Sequence, residues 1–214
     1  MTSSTNDEPQ VVGLLLAAGG GRRLGGRPKA LLTHRGRPLV EHAVRMLREG
    51  GCATVHVVLG AAADEVRARA DLTGCVLVDN PEWPEGMGSS LRVGLASLAR
   101  AGAEAGARTE AGVRADAALV SLVDQPGIGA EAIARVRGAY RSPASLAAAA
   151  YDGRRGHPVL LGADRWQPVA ASARGDRGAR AYLAAHEGEI TLVECGDVAE
   201  PYDIDTAADL GRLG

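Results

Sequence analysis

Long apolar runs recur along this chain, and each is followed by a loop and then by a segment with helical spacing. Three of them are VVGLLLAA at 11–18, ATVHVVLG at 53–60 and DAALVSLVDQP at 116–126. An apolar run without alternation is typical of a strand that is buried on both faces. Strands that alternate with helices predict an α/β fold of three layers, with a mostly parallel central sheet and right-handed crossovers.

The remaining segments fit the same architecture. Helices are predicted at 38–51, 64–70, 91–101, 130–141, 179–188 and 206–214. Further strands are predicted at 75–80, 145–151 and 190–195, with a hairpin return at 153–162.

The length of the chain suits one large α/β domain, because 214 residues carry no linker long enough to divide them. We predict a disordered N-terminal lead at 1–10 and a single domain over 11–214. The low-complexity stretch at 101–115 is predicted to be an exposed extension of a helix, followed by a loop.

Charge and cysteine content exclude several classes of function. The formal net charge of −2 gives no general electrostatic attraction to nucleic acid or to an anionic membrane. No apolar stretch reaches the roughly 20 residues of a membrane span. Cys52, Cys75 and Cys195 are widely spaced and form no CxxC pair, which predicts a reduced, cytoplasmic protein without a disulfide or zinc site.

The loop after the first predicted strand, Gly19 to Lys29, is rich in glycine and positive charge. In an open α/β sheet, ligands bind outside the carboxyl ends of the strands, where this loop begins. Glycines let backbone N–H groups approach an anion closely. Arg22, Arg23, Arg27 and Lys29 add full charges, so the loop predicts a polyphosphate ligand. The alternative is a solvated loop whose arginines are incidental.

Two familiar phosphate-binding motifs do not match this loop. A P-loop requires GxxxxGK[ST], whereas the chain reads GGRPKA. A dinucleotide fingerprint requires GxGxxG, whereas Leu24 stands at its third glycine. The second strand also ends in Leu59-Gly60 rather than in an acidic residue, which disfavours an NAD(P) oxidoreductase.

The segment LAAGGGRRLGGRPKALL at 16–32 resembles the signature loop of nucleotidyltransferases that activate small phosphates, in particular the MocA/MobA-like group. The resemblance covers nearly the whole chain and departs from the family pattern at Ala207-Ala208, where Pro-Glu is usual. It implies a Rossmann-like nucleotidyltransferase fold. The further matching segments are NPEWPEGMGSSL at 80–91, LVDQP at 122–126, GHPVLL at 156–161, GDRGAR at 175–180 and DIDTAADL at 203–210.

The resemblance also implies a reaction. CMP would be transferred from CTP to the phosphate of molybdopterin, with release of pyrophosphate, and a molybdenum hydroxylase or its chaperone would receive the product. Arg23, Lys29 and Asp124 are the implied catalytic residues, and His157 and Gln125 the implied acceptor-binding residues. A structural role for His157 remains an alternative. The implied nucleotide-binding residues are Leu16, Ala17, Ala18, Gly19, Gly21, Arg23, Lys29, Asp79, Asn80, Gly86, Ser89 and Ser90.

Nucleotidyl transfer of this kind uses Mg²⁺, which binds one or two carboxylates together with water and substrate phosphates. Asp124 ends a buried strand and would point into the ligand crevice. Asp203 and Asp205 are two residues apart and share a face in an extended segment. We predict that Asp124, Asp205 and Asp203 bind the metal; the alternative for Asp124 is a turn former before Pro126.

Base choice and acceptor leave alternatives open. Guanylyltransferase cousins usually read LAGG where this chain reads LAAG, so the methyl group of Ala18 is predicted to favour cytosine over guanine. A guanylyltransferase acting on the same acceptor and a sugar-1-phosphate nucleotidyltransferase remain alternatives. From another class, a non-catalytic cofactor carrier or chaperone would keep the pocket but lose metal binding.

Overall fold

The computed structural model describes the backbone of residues 8–107 and 114–214. It describes the side chains of the same residues except those of 102–107. Most of the lead predicted at 1–10 lies outside the described residues, as do 108–113 of the low-complexity stretch. Within the described part, Gln10 exchanges hydrogen bonds with Asp116, and Glu8 pairs with Arg137.

The elements alternate as the apolar runs predict. The strands are β1 (Val11–Leu16), β2 (Thr33–His34), β3 (Arg37–Pro38), β4 (Val55–Leu59), β5 (Val76–Asp79), β6 (Ala117–Leu122), β7 (Leu146–Tyr151), β8 (Arg154–Gly162) and β9 (Thr191–Glu194). The helices are α1 (Leu39–Glu49), α2 (Ala63–Arg69), α3 (Met87–Ala107), α4 (Ala130–Arg137), α5 (Trp166–Ser172) and α6 (Arg180–Ala185).

Seven strands form the central sheet in the order β5-β4-β1-β6-β8-β7-β9. β1 lies between β4 and β6 and is parallel to both, with Leu14 opposite His56 and Val120. β8 runs antiparallel to β6 and β7, whereas β9 is parallel to β7. The predicted α/β class with a mostly parallel sheet is therefore confirmed.

Two apolar cores cover the two faces of the sheet. On β1, Leu15 belongs to one core and Leu14 and Leu16 to the other, because successive strand residues point to opposite faces. The first core is closed by α1 and α4, and the second by α3 and α5. This arrangement gives the three predicted layers.

Several predicted element boundaries differ from the observed ones. The helix predicted at 91–101 begins four residues earlier, at Met87. α5 was not predicted at all. The predicted closing helix is a 3₁₀ segment, Ala207–Arg212. Through the part of the chain that is described, no helix is long and apolar enough to cross a membrane.

Candidate active site

The first loop folds back on itself as it leaves β1. Gly21 adopts φ 59°, and its carbonyl oxygen accepts the N–H groups of Leu24 at 2.8 Å and Gly26 at 3.0 Å. A Cβ at Gly21 would lie 1.9 Å from the carbonyl oxygen of Arg27, so only glycine fits there. Leu24 is buried and anchors the loop, while Arg23 remains exposed.

The loop delivers a cation to two carboxylates at the carboxyl edge of the sheet. Lys29 Nζ lies 2.7 Å from Asp124 Oδ2 and 2.8 Å from Asp205 Oδ1. Arg23 forms an ion pair with the second oxygen of Asp205. The structure thus brings together the three predicted catalytic residues and the predicted metal ligand Asp205.

Lys29 is also the single lysine in a chain whose 24 basic residues are otherwise all arginine. An ammonium group is a compact point charge, whereas a guanidinium is a planar fork. The compact group suits a position between two carboxylates. A single lysine in so arginine-rich a composition is itself a sequence signal that this position requires an ammonium group.

The C-terminal segment holds Asp205 in place. Asp209 Oδ2 accepts hydrogen bonds from the backbone N–H of Asp205 at 3.1 Å and of Thr206 at 2.7 Å, and from the Thr206 hydroxyl at 2.8 Å. The backbone N–H of Ile204 donates to the carbonyl oxygen of Asp124 at 2.8 Å. Asp209 therefore positions the segment that carries Asp205 beside the end of β6.

Burial and ion pairing act in opposite directions on the pKa values of this cluster. Burial lowers the pKa of Lys29, but Asp124 and Asp205 outweigh it and the net shift is upward. Burial raises the pKa of Asp124, and the charge of Lys29 opposes that rise. The hydrogen bond from Lys29 lowers the pKa of Asp205. Lys29 therefore remains an ammonium group at neutral pH.

The donor set fits a divalent metal. Asp124 and Asp205 direct one oxygen each at the same point, where Lys29 Nζ lies. Mg²⁺ commonly binds one or two carboxylates and completes its coordination shell with water and phosphate oxygens. The described residues contain no cluster of three or more metal-binding side chains. A bound ion would thus take its other ligands from water and substrate.

Asp203 forms a different contact from this pair, and its charge contributes to the raised pKa of Asp124. Its Oδ1 accepts a hydrogen bond from Gln125 Nε2 at 2.8 Å. Gln125 Oε1 is buried and has no hydrogen-bond partner among the described residues. Of the two predicted metal ligands, Asp203 is therefore hydrogen-bonded to an amide, whereas Asp205 is paired with the cations of Lys29 and Arg23.

The backbone at 16–18 continues the edge of the sheet. Ala17 N–H donates to Val58 O at 3.0 Å, and Ala18 O accepts from Ala61 N–H at 3.1 Å. Gly60 lies beside Trp83, and a Cβ at Gly60 would approach Trp83 Cβ to 2.5 Å and Ala18 Cβ to 2.8 Å. Trp83, Gly60 and the methyl group of Ala18 form one packed contact.

Other predicted nucleotide-binding residues lie beside this contact. Asn80 Nδ2 donates to Ser89 Oγ at 2.9 Å and to Ser90 Oγ at 3.0 Å, and all three residues are buried. Gly86 has a positive φ of 103°, a backbone conformation that favours glycine. The Asp79 carboxylate accepts a hydrogen bond from Arg67 at 2.6 Å. Asn80, Ser89 and Ser90 therefore hold the loop between β5 and α3, and their contact with a nucleotide stays a prediction.

A cavity of about 580 Å³ opens next to the charged cluster. Its floor is apolar, and Gln125, Asp203 and His157 are among its polar lining residues. Burial, aided by Arg180 and Arg155, lowers the pKa of His157 to about 4 against the opposing effect of Asp203, so its imidazole is neutral at pH 7. Arg155 and Arg180 are not among the residues predicted from the motifs, although GRRGHP places Arg155 two residues before His157.

Two curated relatives are similar in sequence to this chain, one over nearly its full length and one over a part of it. Nicotine blue oxidoreductase from Paenarthrobacter nicotinovorans is 41% identical over 97% of this chain and 98% of its own length. Molybdenum cofactor guanylyltransferase from Cereibacter sphaeroides is 42% identical over 45% of this chain and 47% of its own.

Solved structures share the fold over nearly the full length. The homologue of Mycobacterium tuberculosis Rv0371c from Mycobacterium sp. strain JC1 has a TM-score of 0.76 and 30% identity, covering 95% of this chain and 94% of its own. The manganese complex of Rv0371C from M. tuberculosis H37Rv has a TM-score of 0.68 and 27% identity, covering 95% and 97%.

The family comparison confirms the resemblance drawn from the motifs. Residues 13–190 match the MobA-like NTP transferase domain, which includes the first loop, Asp124 and His157. With a Rossmann-like sheet and a cationic loop facing two carboxylates, the chain belongs to the MobA-like NTP transferase family.

Proposed function

We propose that this protein is a Mg²⁺-dependent cytidylyltransferase that transfers CMP from CTP to the phosphate of molybdopterin and releases pyrophosphate. The observation that carries the proposal is the convergence of Lys29 on Asp124 and Asp205 at the carboxyl edge of the sheet. The molybdopterin acceptor is supported by the similarity to a molybdenum cofactor guanylyltransferase.

The reaction requires an acceptor phosphate oxygen to attack the α-phosphorus in line as pyrophosphate departs. Catalysis of this kind consists mostly of positioning and charge neutralisation. Asp124 and Asp205 would hold Mg²⁺, which when bound neutralises phosphate charge and orients the reacting oxygens. Arg23 is exposed on the loop and can grip phosphate oxygens through its fork, while Lys29 supplies a point charge.

The product would pass to a molybdenum hydroxylase or to its chaperone, and we propose that transfer takes place in the cytoplasm. The three cysteines are free thiols, as expected for a reducing compartment. Burial raises the pKa of Cys52 to about 11, which keeps that thiol protonated and unreactive.

Pyrophosphate release tests the proposal. Purified protein receives Mg²⁺ and molybdopterin with CTP, GTP, ATP or UTP in turn. We expect release with CTP alone and a loss of roughly 10²–10³-fold or more in Asp124→Ala, since an electrostatic catalytic group of this kind carries that magnitude. Asp64→Ala is the matched control, because Asp64 is exposed on α2 and pairs only loosely with Arg67.

Each other outcome identifies a different alternative. Release with GTP would keep the mechanism and overturn the base assignment. Release only when a sugar 1-phosphate replaces molybdopterin would change the acceptor. No release under any of these conditions would leave a carrier of the cofactor.

A second candidate is an oxidoreductase, because a relative that is 41% identical over 97% of this chain is named nicotine blue oxidoreductase. The apolar floor of the cavity would accept a flat aromatic compound. Oxidation of NADH or NADPH in the presence of nicotine blue, undiminished in Asp124→Ala, would favour this activity. The absence of dye reduction together with pyrophosphate release would exclude it.

A further inference from the structure

Two buried histidines belong to the chain segment that begins at Lys29. His34 is on β2, shortly after Lys29, and His42 is on α1. They are 6% and 7% exposed, and their rings meet edge to face with centroids 4.8 Å apart. Each ring therefore restricts the orientation of the other.

Each imidazole donates an N–H to a backbone carbonyl of a distant segment. His42 Nε2 lies 3.1 Å from the carbonyl oxygen of Pro126, and His34 Nδ1 lies 2.7 Å from that of Leu213. A carbonyl oxygen only accepts, so the proton is on Nε2 in His42 and on Nδ1 in His34. Burial lowers the pKa of His42, so this ring is neutral at pH 7 and has a single N–H to donate.

The two carbonyls belong to the segments that carry the two carboxylates of the charged cluster. Pro126 lies just beyond β6 and is separated from Asp124 by one residue. Leu213 follows the 3₁₀ segment Ala207–Arg212, which begins just after Asp205 and is closed at its start by a capping box. The histidines thus join the segment of Lys29 to both carboxylate segments.

Backbone hydrogen bonds make each end of this connection stiff. The Leu32 N–H donates to the carbonyl oxygen of Lys29 at 3.1 Å, and the Leu39 N–H donates to that of Leu32 at 2.8 Å. The turn of Lys29, the β2–β3 hairpin and α1 are therefore one hydrogen-bonded unit. The Arg35 N–H also donates to the Gly214 carbonyl oxygen at 3.3 Å, so the C-terminal segment is attached to the hairpin at two adjacent points.

The charged contacts alone do not fix how these segments lie relative to one another. Lys29 reaches Asp124 and Asp205 through a flexible four-carbon stem. In the proposed mechanism, phosphate and metal replace these contacts, whereas the imidazole bonds are uncharged and buried away from the exchange. A misplacement of about 1 Å can cost a reaction on the order of 10²-fold in rate, so a separate tie between the segments has a catalytic consequence.

We propose that His34 and His42 are positioning residues that hold the three segments of the charged cluster together while its charged groups exchange partners. His42 acts on the turn after β6, and His34 acts on the C-terminal segment. The effect on turnover rests on the proposed function, whereas the effect on the geometry around Lys29 does not.

The single lysine supplies a direct readout of that geometry. In protein grown with ¹³C-labelled lysine, one Cε–Hε NMR signal reports Lys29 between its carboxylates, without nucleotide or metal. We expect this signal to shift toward the position of free lysine in His42→Leu and in His34→Leu. In the pyrophosphate assay, kcat should fall about tenfold while KM for CTP stays nearly unchanged, because the reacting groups are misplaced rather than removed.

Matched amides distinguish the placement of the donor from burial alone. The amide nitrogen of Gln lies near the position of a histidine Nε2, and that of Asn lies near the position of Nδ1. His42→Gln and His34→Asn should therefore keep the wild-type lysine signal and kcat. The exchanged pair, His42→Asn and His34→Gln, should behave like the leucine variants.

His56→Leu is the control for loss of a buried, hydrogen-bonded histidine elsewhere in the fold. His56 is 3% exposed on β4 and is bonded to Ser97 Oγ on α3 at 2.9 Å. This variant should lose stability and leave the lysine signal in place. Thermal unfolding verifies that each variant is folded, and where a leucine variant does not fold, the exchanged amides carry the comparison. An unmoved lysine signal in the leucine variants, or equal rescue by both amides at each position, would overturn the inference.

The lysine signal separates this inference from the proposed function. A shifted signal in the leucine variants of a protein that releases no pyrophosphate would support the positioning role and refute the proposed function. An unmoved signal and an unchanged kcat in variants of an active protein would refute the positioning role and leave the proposed function intact.

Discussion

The proposed nucleotide side, with Lys29, Asp124, Asp205 and Asn80, and the proposed acceptor side, the cavity lined by Gln125, His157 and Arg180, differ in how far the protein satisfies its own polar groups. On the nucleotide side, Lys29 lies between Asp124 and Asp205, and the Asn80 amide donates to two serines and accepts from the backbone N–H of Glu82. On the acceptor side, Arg180 has no charged partner among the described residues, and Gln125 Oε1 lacks a donor.

This difference indicates two ways of preparing for a ligand. A cation held between two carboxylates is stable without substrate, and in the proposed mechanism the same groups would exchange partners when phosphate and metal bind. An arginine without a carboxylate partner retains its full attraction for an anion. The paired lysine is typical of a site whose groups exchange partners during a reaction. The unpaired arginine is typical of a site that binds an anion without reacting with it.

Lys29→Met gives the sharpest test of the nucleotide side, because it removes the cation while keeping the apolar stem. We expect pyrophosphate release to fall roughly 10²-fold or more. The free energy of unfolding should fall by about 1–3 kcal/mol, less than for a fully buried pair because Asp205 is partly exposed.

Added Mn²⁺ should recover more of that stability in Lys29→Met than in the wild type, since the freed carboxylates can bind it. Urea unfolding with and without Mn²⁺ measures this difference, and Lys29→Arg tests whether charge alone suffices. Equal stabilisation of wild type and Lys29→Met by Mn²⁺ would contradict the idea that lysine and metal share these carboxylates.

Gly60→Ala tests how tightly the nucleotide side is packed. The new methyl group would lie 2.5 Å from Trp83 Cβ and 2.8 Å from Ala18 Cβ, so overpacking should lower the free energy of unfolding by about 1–3 kcal/mol. Gly129→Ala is the control, because a Cβ there meets no atom within 4 Å. Chemical denaturation of both variants makes the measurement, and similar losses would show that the contact is not selectively tight.

His157→Gln tests the acceptor side through pH. Burial lowers the pKa of His157 to about 4, so as pH falls below about 6.5 the unfolded chain takes up a proton that the folded protein does not. Wild-type stability should therefore fall from pH 7 to pH 5 by about 1–2 kcal/mol more than that of the variant.

His42 and His56 also have pKa values lowered by burial, and they contribute equally to both proteins. Urea unfolding at the two pH values isolates the contribution of His157. Parallel losses in wild type and His157→Gln would mean that this imidazole is not held neutral by its surroundings.

Ala18→Gly has the smallest expected effect. If the methyl group narrows the base pocket, its removal should shift the ratio of kcat/KM for CTP over GTP by about tenfold toward GTP. Competition between the two nucleotides in the pyrophosphate assay measures the ratio. An unchanged ratio would remove Ala18 from the explanation of base choice.

Much of the fold could be predicted from the sequence, because its signals are local. Continuous apolar runs mark β1, β4 and β6, and the carboxyl end of β6 carries Asp124. The start of α3 was predicted too late, because glycines and serines at 86–90 indicate a loop, while the buried contacts of Ser89 and Ser90 with Asn80 stabilise a helix there.

The sequence by itself determined the alternation of strands and helices, the family and the charge of the first loop, because periodicity and motifs depend on residues that are close together in the chain. Only the tertiary structure decided that Lys29 meets Asp124 and Asp205, which lie 95 and 176 positions away, while Asp203 turns to Gln125. The tertiary structure also decided which arginines remain without a carboxylate partner. Ion pairing depends on where the crossovers place each side chain, and the spacing of residues along the chain does not reveal it.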